Sequence, residues 1–158
     1  MTDELLACMV AERSIRRLIS LYCDAVRRRD PDSVGRLFTD DARVEIAGMP
    51  ERVGRHAIVE GLRRTVSGFS YLHQMCDTGL IDVDGAPAWA RLGIFEVNRP
   101  NGSEGLNVIM GAYEDEYRQV EGAWRFHHRR FSLQSRVLLS AAEAQQWPAI
   151  APRFDFAP

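Results

Sequence analysis

Four histidines, four tyrosines and twenty arginines are the side chains of this sequence best suited to proton and anion chemistry. His73 stands in the run Tyr71-Leu72-His73-Gln74-Met75-Cys76. Strand alternation puts it on one face with Tyr71 and Met75, opposite Leu72, Gln74 and Cys76. An imidazole there is either a general base working near neutral pH or a core side chain bonded to a carbonyl. Tyr113 and Tyr117 alternate on one face of a later strand, where they present hydroxyls to a ligand or pack as rings. Arg129 belongs to a basic strand end with Arg125, His127, His128 and Arg130, and either lines a pocket or is solvated. On an N-terminal helix, Tyr22 falls in the apolar stripe, while Asp24 and Arg27 are spaced to pair at i,i+3. An Arg27 that reached a pocket would offer a planar fork to a carboxylate, phosphate or enolate. Its charge would also favour the neutral form of His73.

Other chemistries lack their residues. His127 and His128 are adjacent and so point to opposite strand faces, and no HxxxH or HxH spacing occurs, so no metal site is expected. No phosphate loop, Rossmann glycine pattern, nucleophile elbow or haem motif is present, and no cofactor is expected. Cys8, Cys23 and Cys76 are odd in number and show no CxxC spacing, which suits buried free thiols in a reducing cytoplasm. A net charge of −2 argues against nucleic acid as a partner. The N-terminal stretch carries acids and no basic-then-apolar run, so no signal peptide or membrane span is expected, and the protein is expected in the cytoplasm. Every basic residue is Arg and none is Lys, the mark of a GC-rich, bacterial genome.

The elements that must position these residues are legible from periodicity. A short helix over 3–12 leads into a long one in which Ile15, Leu18, Ile19, Tyr22 and Val26 form a buried stripe. Asp30 caps a second, shorter helix begun by Pro31 and carrying Leu37 and Phe38; Asp40-Asp41 closes it before a strand with Val44 and Ile46. A third helix begins at Arg55, with Ile58 and Leu62 on its buried side. Strands are predicted over 70–83, 88–97, 106–120 and 123–138, with Gly85 and Gly122 in tight turns and a longer connection over 98–105. A last helix is capped by Ser140 and stopped by Pro148. Helices followed by antiparallel strands make an α+β chain, and apolar residues on both strand faces predict a subunit neighbour.

The sequence resembles the SnoaL-like branch of the nuclear transport factor 2-like superfamily. The matching residues are Ile15, Leu18, Tyr22, Ala25, Asp30, Leu37-Phe38 and Asp40-Asp41-Ala42, then Gly54 with Ala57-Ile58, His73 and Asp84-Gly85. Gly111 with Tyr113, and Gly122 with Trp124 and Arg129, complete the pattern. The branch includes polyketide cyclases, scytalone dehydratase and hexachlorocyclohexane dehydrochlorinase. The resemblance implies one domain over residues 1–158, with 139–158 a C-terminal helix and tail that covers the pocket mouth in several relatives. It implies a cone-shaped, curved antiparallel sheet packed on the N-terminal helices, the nuclear transport factor 2-like or cystatin-like α+β barrel. A homodimer or homotrimer is expected.

The resemblance also assigns roles. The His matching His73 moves a proton at the pocket floor in the dehydratase and the dehydrochlorinase, and an Arg matching Arg129 favours the leaving anion in the latter. The usual partner of that His is an Asp on the first long helix, and an ungapped count places this position at Arg27. A guanidinium accepts no proton, so the standard dyad is missing. The expected function is a cofactor-independent lyase or isomerase acting on a small cyclic hydrophobic metabolite. His73 and Arg129 are its catalytic residues, and Tyr22, Asp24, Arg27 and Tyr113 bind substrate. The alternatives are a non-catalytic small-molecule-binding module and the small structural subunit of a ring-hydroxylating dioxygenase.

Overall fold

The computed structural model describes residues 2–143. Helix α1 runs unbroken from Asp3 to Arg27, so the two helices expected there are one. Thr2 caps its start, and Ile15, Leu18, Ile19, Tyr22 and Val26 are buried along one stripe. Asp30 caps α2 (Pro31–Gly35) through Ser33 N at 2.9 Å. This helix ends before Leu37, and Phe38 already begins strand β1 (Phe38–Ile46), which runs through Asp40-Asp41. The short β2 (Arg52–Val53) precedes α3 (Arg55–Ser67). The remaining strands are β3 (Phe69–Cys76), β4 (Leu80–Asp82), β5 (Ala88–Pro100), β6 (Leu106–Val120) and β7 (Ala123–Leu139).

The strand expected over 70–83 is broken between β3 and β4. Asp77 N donates to Gly93 O at 3.0 Å, and Gly93 N donates to the Asp77 carboxylate at 2.9 Å. A side chain thus takes the place of a backbone carbonyl, and the chain turns at Gly79 with φ +53°. Hydrogen-bonded neighbours run β2-β1-β7-β6-β5-β3, with β4 also paired to β5. The expected antiparallel cone or closed barrel is therefore not formed. β1 pairs parallel to β7, which makes the sheet mixed, and β2 and β3 are its two unjoined ends. β1 and β7 lie far apart in the chain, so no hairpin turn dictates their direction, and a long crossover permits the parallel pairing. At one end β2 has two residues to offer a partner, and at the other α1 packs on β3.

Helices and sheet enclose one core. Tyr22, Phe38, Tyr113 and Phe126 form a ring cluster with centroids 5.1–6.3 Å apart. Edge contacts of this kind add about 0.5–1.5 kcal/mol per pair beyond burial. Ala90, Leu92 and Ile94 of β5 point inward, whereas Trp89 and Phe95 are 51% and 39% exposed on the opposite face. At the C-terminal end, Glu143 accepts from Ser140 N at 2.9 Å, the start of a capping box. The helix and tail expected beyond it lie outside the described residues.

Candidate functional site

A cavity of ≈250 Å³ lies between the three helices and the inward face of the sheet. Its wall is mainly carbon, from side chains such as Val26, Ile58, Leu72, Ile94 and Phe131. This volume is below the ~300–1,000 Å³ of drug-sized sites, so it suits a small molecule. Polar groups enter it from α1, β3, β5, β6 and β7 and from Arg52 of β2.

Arg129 is the largest of these and is 1% exposed. Its Nε and Nη2 donate to the two carboxylate oxygens of Asp115 at 2.7 and 2.6 Å. Asp115 is 2% exposed and also accepts from the Tyr117 hydroxyl at 2.8 Å. The guanidinium carbon is 4.2 Å from the Tyr22 ring centroid, 3.9 Å from that of Tyr113 and 4.2 Å from that of Phe126. A cation stripped of water is tolerable here because a bidentate carboxylate and three aromatic faces replace the solvent. Nη1 is buried with no hydrogen bond to a protein acceptor, and Arg129 is among the residues that line the cavity. Burial raises the pKa values of Tyr22 and Tyr113, while the Arg129 charge pulls both the other way. Both phenols therefore keep their protons.

The second polar set is a relay of side chains across β3, β5 and β6. Glu96 accepts from Gln74 Nε2 at 2.8 Å and from Asn98 Nδ2 at 2.7 Å. Asn107 Nδ2 donates onward to Asn98 Oδ1 at 2.8 Å, and Arg136 donates to Asn107 at 3.0 Å. Glu96 is the one carboxylate among the lining residues, and the buried Gln74 Oε1 has no partner. Arg52 adds a second cation at the wall, with burial pushing its pKa down.

Of the residues expected in the site, the cavity collects Tyr22, Tyr113 and Arg129. It does not collect His73, Arg27 or Asp24. His73 is on the opposite face of β3 from Leu72 and Gln74, so the inward position of that strand belongs to Gln74. Burial, then the Arg27 charge, hold the His73 pKa below the usual histidine value. Arg27 is exposed at the end of α1, 3.7 Å from Asp24, and Asp24 is bonded to Arg28 Nε at 2.9 Å. The helix residue that lines the cavity beside Arg27 is Val26. An imidazole on β3 paired with a carboxylate on α1 is therefore absent from this cavity.

Sequence reasoning passed over Gln74, Glu96, Asn98 and Asp115. Alternation already put Gln74 with Leu72 and Cys76, and Asp115 between Tyr113 and Tyr117 on one face. An acid inside an aromatic face is the signal that would have found the Asp115–Arg129 pair. At the surface, Glu45, Glu51 and His128 bring ligand atoms within 4.8 Å of one another. They are already paired, His128 with Glu45 at 2.6 Å and Glu51 with Arg43 at 3.5 Å. Among the described residues, no helix is long and apolar enough to cross a membrane.

Comparison with known proteins agrees with this architecture. A candidate scytalone dehydratase from Novosphingobium aromaticivorans superposes with a TM-score of 0.77 at 21% identity, covering 89% of this chain and 92% of its own. Hexachlorocyclohexane dehydrochlorinase LinA-type3 from Novosphingobium barchaimii superposes at 0.79 and 15% identity, covering 89% and 97%. A nuclear transport factor 2-like superfamily protein from Salmonella enterica gives 0.73 and 19%, covering 80% and 93%. At such identities the likeness is one of fold. A comparison with curated protein sequences returns no match. The SnoaL-like domain pattern spans residues 9–130, most of the chain, and the protein belongs to the SnoaL-like domain family.

Proposed function

We propose that this protein is a cofactor-independent lyase or isomerase that takes a proton from carbon in a small, largely apolar cyclic molecule. Glu96, not His73, is its base. The observation that carries this reading is the Glu96 carboxylate on a carbon-lined wall, held at both oxygens by the Gln74 and Asn98 amides. A carboxylate has about four acceptor positions, and two remain for a substrate proton. The free Nη1 of Arg129, with Arg52 and the Tyr22 hydroxyl, supports charge that develops on a substrate oxygen. Gln74 Oε1 is left to accept from a substrate hydroxyl. The relatives named as a candidate dehydratase and a dehydrochlorinase carry out eliminations of this general kind, which supports the reaction class. The apolar outer face of the sheet, with Trp89 and Phe95, supports a homodimer or homotrimer.

The test is NMR-monitored turnover and hydrogen–deuterium exchange at carbon, with cyclic ketones, hydroxy acids and halogenated rings as the panel. Glu96→Gln should lower exchange by about 10²-fold or more, the range of a lost general base, and His73→Ala should leave it unchanged. Loss in His73→Ala with Glu96→Gln active would reverse the assignment. A second reading, a binding module, is favoured by the absence of any imidazole from the cavity. Saturable binding of panel members without exchange in the wild type would select it.

A further inference from the structure

Two thiols meet between α1 and β3, outside the cavity lining. Cys23 of α1 and Cys76 of β3 are 53 residues apart in sequence, yet their sulfurs lie 3.6 Å from each other. Both line a surface groove of ≈320 Å³ between helix and strand, together with Arg16, Arg27 and Asp77. Cys23 is buried and Cys76 partly exposed, so the pair is shielded on the core side and reached from the groove. Cys8 has no thiol neighbour; its Sγ is 3.5 Å from the Val83 carbonyl.

We propose that Cys23 and Cys76 form a dithiol–disulfide site at which a small hydroperoxide oxidises the chain, tying α1 to β3. The hydrogen bond from Cys76 lowers the Cys23 pKa to about 7, the Arg129 and Arg27 charges act in the same sense, and burial opposes them. Cys76 keeps its proton, its pKa pushed up by the same hydrogen bond and by burial. Of the two thiols, Cys23 is the one its neighbour's hydrogen bond favours as thiolate, and both residues line the groove through which a hydroperoxide enters.

The chemistry balances with hydroperoxide as the only co-reactant. Cys23 thiolate attacks the outer peroxide oxygen, the O–O bond breaks, and the departing alkoxide or hydroxide takes a proton to leave as alcohol or water. Cys23 is then a sulfenic acid. The Cys76 sulfur attacks it, an S–S bond forms, the S–O bond breaks, and hydroxide leaves with the Cys76 proton as water. Two thiols lose two electrons in all and the peroxide gains them. The sulfurs need to close by ~1.5 Å from their 3.6 Å separation to reach the ~2.05 Å of a disulfide. Tyr22 precedes Cys23, and Gln74 lies two residues before Cys76, so the tie joins the two elements that carry these groups to the cavity.

The experiment treats the full chain and its Cys8→Ser, Cys23→Ser and Cys76→Ser variants with a few equivalents of hydrogen peroxide at pH 7. Free thiols, intact mass and tryptic peptides are then read. The wild type and Cys8→Ser should each lose two thiols and two hydrogens, give a peptide linking Cys23 to Cys76, and recover with dithiothreitol. Cys76→Ser should instead yield a dimedone adduct at Cys23. Cys76 is partly exposed, so this variant keeps the test decisive if Cys23→Ser does not fold. Unchanged thiols, oxygen gained without a link, a link through Cys8, or links only between chains would each overturn the proposal.

Discussion

Replacing Asp115 by Asn removes the charge that makes a buried Arg129 tolerable while keeping the side-chain volume. Arg129 and Asp115 are 1% and 2% exposed, and their two hydrogen bonds are 2.7 and 2.6 Å long. An amide offers one acceptor where the carboxylate offered two, and the guanidinium charge is left with aromatic faces alone. Breaking one side of such a pair costs about 3–5 kcal/mol. A domain of this size holds about 5–15 kcal/mol in all, so the loss takes roughly a fifth or more of it. At about 2–4 °C per kcal/mol, Tm should fall by about 6–20 °C. Urea denaturation of wild type, Asp115→Asn, Arg129→Met and the double variant closes a double-mutant cycle. The double variant should be less destabilised than the sum of the singles by about 2–3 kcal/mol, because neither leaves a lone charge behind. An Asp115→Asn cost below about 1 kcal/mol, or an additive cycle, would refute the view of this pair as a desolvated unit.

Three smaller perturbations probe other parts of the structure. Asp30→Ala removes the acceptor for Ser33 N and should cost about 1 kcal/mol in urea unfolding, with no change at the cavity. His73 has a folded pKa below its unfolded value, from burial first and Arg27 second. The unfolded chain then binds the extra proton, so this contribution to stability is full above the ordinary histidine value of 6.5 and is lost as pH falls from there towards the folded pKa. The urea midpoint should therefore decline across that window in the wild type and decline less in His73→Gln. Arg27→Gln should raise the His73 pKa followed by NMR.

Much of this protein was written in local pattern. The α1 stripe, the Asp30 cap, the third helix start at Arg55 and the strand over 106–120 follow from spacing and turn chemistry, because each depends on near neighbours. The family resemblance also rests on such residues. Tertiary structure decided which face of each strand is inside. On β3 the alternation separated His73 from Gln74 without saying which faces the core; the packing of α1 on β3 and the common cavity chose Gln74. On β7 a bulge decided. The Glu121-Gly122 turn sets a register in which Tyr117 faces Phe126, and continuing it would put His128 opposite Asp115. The shift between Glu116 and Tyr117 inserts one residue, so Arg129 faces Asp115 instead. A slip of one residue exchanges the two faces of a strand. Sequence alone thus specified that a cation and a carboxylate would be near this strand pair, and the bulge determined that the cation would be an arginine turned into the core.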